Sequence, residues 1–153
     1  MSGAMRGEQI TTRLAVTQAM ADALNDYLVG NDLYQQMLVD TPTGSEPVVM
    51  TLGALLDNIA LLGNSEPSLS DAQRAQLTTI RDAVARARRT FPDKWQALLH
   101  RELKALLDSR KWYLDDLEQR GRIDLVLREL EDAGSADERR RLADLDAREP
   151  GKL

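Results

Sequence analysis

The chain has 153 residues, 42% hydrophobic, 29% charged and only 4% aromatic, with a formal net charge of −5. That is enough for one domain of ordinary size, in which folding hides roughly two-thirds of the unfolded surface and needs no covalent staple. Cysteine is absent and His100 is the single histidine, which excludes disulfide frameworks, thiolate metal sites, cysteine nucleophiles and any centre needing two imidazoles from one chain.

The first residues carry no apolar run of signal-peptide length, and no stretch approaches the roughly 18 apolar residues of a membrane span. A cytoplasmic location without membrane contact is therefore the expectation, with Met5 a second candidate start. The net charge is −6 over residues 1–80, +3 over 81–120 and −2 over 121–153. A basic middle packed beside an acidic half follows more simply from this than a dedicated anion site.

From Glu8 to Val29, residues Ile10, Leu14, Thr17, Met20, Ala21, Leu24, Tyr27 and Leu28 share one arc of a helical wheel, and Gly30-Asn31 supplies the stop. The period then changes. Leu33–Val39 and Val48–Met50 read as short strands around the turn formers of Asp40 to Pro47, giving a β-hairpin within 33–50 whose edges can pair with a partner or a second copy. Thr51 reads as an N-cap with Met50 and Leu55 as its hydrophobic staple, opening a short helix to Gly63.

Ser70 and Gln73 form a capping box for a third helix, Asp71 to about Thr90, with Leu77, Ile80, Val84, Ala87 and Phe91 as a narrow apolar seam. Thr90, Asp93 and Pro92 then start a fourth helix running to about Arg120 and stopping at Gly121. It would be about 40 Å long. Beyond it, Ile123, Val126, Leu127 and Leu130 give a short helix, and Ser135 with Glu138 caps a charged last segment. The expected fold is mainly α: a bundle of four to six helices with one hairpin between the first and second. Residues 1–121 would form the core domain and 122–153 a peripheral helical segment, partly disordered unless another chain holds it.

The fourth helix holds most of the candidate chemistry. Trp95, Glu102, Arg110 and Tyr113 fall within or beside its apolar arc, where a charge must be paired or open to water. Glu102 and Arg110 lie about 12 Å apart along the axis, so each needs a partner elsewhere, with Asp22, Asp26, Asp57 and Arg13 as candidates. A structural ion pair is the simpler reading and a ligand pocket the functional one. Leu98, Ala105 and Trp112 recur every seven residues as a second seam, and Trp112 neighbours Arg101 and Asp116; aromatic and arginine side chains together are typical interface anchors. Coverage of that seam by the helix from Ile123 to Leu130 explains it equally well.

On the third helix, Arg74, Arg81 and Arg88 are also seven apart. Such a row can hold nucleic-acid phosphates, although arginines flanking a seam more often pair with acids of the next helix, and no aromatic residue interleaves for base stacking. No phosphate-binding glycine motif, nucleophile elbow or metal-ligand spacing occurs, and nothing calls for a cofactor or metal. The expectation is a non-enzymatic association or adaptor protein working through the fourth helix, with itself or a protein partner. A nucleic-acid-backbone subunit and a ligand-binding bundle are the alternatives.

Overall fold

A computed structural model describes residues 7–30, 32–108, 116–130 and 136–148, without the side chains of 116–120 and 145–148. Among these residues the fold is mainly α, seven helices with one two-stranded antiparallel hairpin after the second.

The first amphipathic stretch forms two helices, α1 (Gly7–Asp22) and α2 (Leu24–Val29). They meet at Ala23 without a loop: Ala23 N–H still bonds to Ala19 O (3.1 Å) and Tyr27 N–H to Ala23 O (2.9 Å). The bend lets Leu24, Tyr27 and Leu28 enter the core beside Ile10, Leu14 and Met20. The Tyr27 hydroxyl donates to Leu33 O at 2.7 Å, and burial pushes its pKa up.

The first strand is shifted by two residues from the expected Leu33–Val39 and the second is longer than expected, β1 at Gln35–Thr41 and β2 at Gly44–Met50, and only Pro42 and Thr43 turn. Thr41 organises that turn by donating to Gly44 O at 2.6 Å, and Gly44 takes φ 120°, a conformation favouring glycine. Ser45, Glu46 and Pro47 lie in the strand. Ser45 is held there by a bond to Asp40 (2.8 Å), and Pro47 is tolerated because a two-stranded sheet has only edge strands.

Helix α3 (Leu52–Asn64) begins as its residues predict: Thr51 accepts from Ala54 N–H at 3.0 Å, with Met50 and Leu55 fully buried. A 3₁₀ turn, Glu66–Ser68, leads to α4 (Asp71–Thr90), whose Ser70/Gln73 capping box is complete and whose seam residues Leu77, Ile80, Val84 and Ala87 are buried.

The fourth expected helix is different. Phe91 O accepts the first helical bond, from Trp95 N–H, while the Thr90 hydroxyl folds back onto Arg86 O and closes α4 instead. Helix α5 spans Pro92–Asp108, and Gly121 lies inside a further helix, α6 (Asp116–Glu129), so it ends nothing. A glycine costs a helix interior about 1 kcal/mol and does not forbid it. Gln96 Nε2 donates to Glu129 O at 3.1 Å, which sets the end of α6 beside the start of α5, so the two helices run antiparallel. The last helix is α7 (Ala136–Arg148); Ser135, expected to cap it, lies outside the described residues.

Helix α3 packs against α1, α4, α5 and α6, and α5 against α2, α3, α4, α6 and α7. One hydrophobic cluster joins them, and Ile123, Val126, Leu130 and Leu142 from the last third of the chain belong to it. No described helix is long and apolar enough to cross a membrane.

Candidate interaction surface

Glu102, flagged by its place in an apolar arc, is 3% exposed. Its partners are none of those expected. Oε2 accepts from the Thr51 hydroxyl (2.9 Å), and the Gly53 amide donates to the carboxylate at 2.9 and 3.1 Å, so the side chain of α5 closes the N-terminus of α3. Arg13 instead donates to Asn58 at 2.5 Å, Asp22 accepts from Gln18, and Asp57 faces Arg122 at 3.4 Å. Burial raises the carboxyl pKa of Glu102, while the bonds from Gly53 and Thr51 and the charge of Arg122 oppose that shift.

Trp95, also expected at a pocket, is fully buried, and its Nε1 has no acceptor. Arg110 and Tyr113 lie outside the described residues. Of the second seam, Leu98 is buried in the core cluster, Ala105 is half-buried and Arg101 is exposed. Burial removes Leu98 from the surface a partner would meet. Trp112 lies outside the described residues and the side chain of Asp116 is not described.

The three heptad-spaced arginines are each engaged. Arg74 donates to Glu66 O (3.2 Å) and approaches Asp71 (3.4 Å); Arg81 lies 4.0 Å from Glu66; Arg88 bonds to Glu129 (3.0 Å) and stacks 5.9 Å above the Trp95 ring. All three are about half exposed, so each pair adds little stability. No group of three or more metal-ligating side chains occurs among the described residues.

Two surface features were not foreseen in detail. Among the described residues the large apolar side chains that stand most exposed are Leu38 (73%), Tyr34, Val29 and Val49, all on the hairpin or the α2 end leading into it. The register pairs Leu38 with Pro47 and Gln36 with Val49, and alternation puts these four on one face of the sheet. Asp40 follows on the same face at the tip, and Asp32 precedes Tyr34. No lysine or arginine occurs between Arg13 and Arg74, whereas eight carboxylates do. Asp40 thus puts a carboxylate at the tip of the apolar face, and neither strand carries a cation.

The second feature is a cleft of about 450 Å³ between α4 and α6, floored by Leu56, Ile59 and Ala60 of α3 with Leu125 of α6 at its side. Arg81 and Arg128 border it. Gly63 lets Arg81 reach inward, since a Cβ there would lie 2.8 Å from its Nη2.

No family model matches the chain, and no curated protein or solved structure matches it.

Proposed function

We propose that this protein works by association, and that the outward face of its hairpin, centred on Leu38 and Val49, is the docking surface for a protein partner. The observation that carries the reading is Leu38, a leucine 73% exposed on a face that also presents Val49, with Tyr34 beside it. Cross-strand pairing on a two-stranded hairpin gains at most about 1 kcal/mol from such residues while leaving them in water. Contiguous exposed apolar side chains with a polar rim characterise interaction sites.

The fourth-helix surface expected from the sequence is a weaker basis, since Leu98 is spent in the core. Helix α5 serves this reading as the support that holds α3, and with it β2, in place through Glu102. Cross-linking followed by peptide mapping, on the parent chain and on Leu38→Asp, tests the proposal. Intermolecular links near residues 34–49 should form in the parent and disappear in the variant, with thermal unfolding of the two alike. Equal cross-linking in both would sink it.

A further inference from the structure

Resting on that association reading, we infer that the hairpin's partner is the α3/α4/α6 cleft of a second copy of this chain. The hairpin offers an exposed apolar face (Leu38, Pro47, Val49) with Asp40 on the same face at its tip. The cleft offers an apolar floor of Leu56, Ile59 and Ala60 bordered by Arg81 and Arg128, and the carboxylate that also lines it, Glu129, is already paired with Arg88 at 3.0 Å. Arg128 is exposed, and among the described residues Arg81 faces Glu66 across 4.0 Å. A pair that long and half exposed to water is weak and can yield to an incoming carboxylate, and opposite potentials across an interface fix register and speed encounter.

Pairing of hairpin with hairpin is the competing arrangement between copies. It would set two faces that each carry Asp40, from strands without a cation, against one another, and like charges set face to face oppose association. The hairpin-to-cleft contact joins two different surfaces, so it is head-to-tail and each chain has one donor face and one acceptor face. Small-molecule occupancy of the cleft fits less well, because it is an open groove between helices rather than an enclosing pocket.

A mixing experiment reads this directly. Light scattering on the eluted full-length protein should give a concentration-dependent mass above the 17.1 kDa of one chain. Leu38→Asp spoils the hairpin and Arg128→Glu spoils the cleft; each variant alone should elute as a monomer with an unchanged melting curve. Mixed in equal amounts, they should form a species of twice the chain mass, because Leu38→Asp still carries an intact cleft and Arg128→Glu an intact hairpin. Asp40→Arg combined with Arg128→Glu in one chain should restore self-assembly. A parent that stays monomeric at all concentrations, or a mixture that does not pair, overturns the inference. If Leu38→Asp loses its cross-links while Arg128→Glu keeps the parent's mass, only this inference falls and the association reading stands; if Leu38→Asp changes nothing, both fall.

Discussion

The carboxylate of Glu102 occupies the space that a Cβ on Gly53 would need, forty-nine residues away in the chain. A methyl at position 53 would lie 3.0 Å from Cδ of Glu102, closer still to Oε2, and 3.1 Å from Cγ of Arg122. Gly53→Ala should therefore push α5 and α6 away from the start of α3 and cost about 1–3 kcal/mol in urea unfolding. Glu102→Ala removes the obstacle, so the cost of Gly53→Ala should shrink in that background by about 1 kcal/mol or more. Strictly additive effects would show that the two residues do not contest one space.

The same carboxyl imposes a pH dependence. Its pKa is raised from the ordinary 4.5 by burial, so the folded chain keeps a proton that the unfolded chain releases. The stability linked to that proton is fully present below 4.5 and is lost as pH rises through the folded value. Glu102→Gln is neutral at every pH and should remove this decline. Urea midpoints of parent and variant should diverge progressively above pH 4.5, with the variant gaining relative to the parent; parallel curves would contradict the assignment.

Two glycines should respond to alanine with opposite signs. Both positions are open, with nothing within 4 Å of an added Cβ, but Gly44 has φ 120° and Gly121 lies inside α6. Gly44→Ala strains the hairpin turn and should cost about 1–3 kcal/mol. Gly121→Ala should stabilise by about 0.4–1 kcal/mol, because alanine restricts the unfolded chain and favours helix. Destabilisation by Gly121→Ala would argue for a chain turn at that residue.

Trp95 carries a buried Nε1 without an acceptor, and an unsatisfied donor costs about 1–3 kcal/mol. Trp95→Phe removes that penalty together with part of the ring, so its net cost should stay below about 2 kcal/mol. Trp95→Ala, which leaves a cavity under Arg88, should cost about 3–5 kcal/mol. Similar losses for the two variants, read from thermal unfolding, would show that the indole nitrogen is satisfied in solution.

Local signals were legible where the physics is local. Thr51 and the Ser70/Gln73 pair cap helices through amides three residues away, and the α4 seam is a periodicity within one element. Ser45, Glu46 and Pro47 looked like turn because those residue types favour turns in isolation; pairing with Asp40, Val39 and Leu38 respectively overrides that preference. Gly121 looked like a stop because glycine also occurs inside helices and one sequence does not separate the two uses. Glu102 was visible as a charge in an apolar arc, but its partner was not, since the amide of Gly53 leaves no mark in the residue code. The exposed hairpin face was foreseen only as sheet edges, because apolar residues in a short strand do not say which face the helices cover.

Ile123 and Val126 are fully enclosed between α3 and α5, and this bears on synthesis. A ribosome must translate past residue 126 before the interior of the first five helices can close. Until then the walls that those two side chains later cover stand open to water, and the cleft bordered by Arg128 does not exist. Such a chain is captured by neighbours more easily than a finished one. Truncation before α6 should therefore yield an aggregating product, not a smaller folded one.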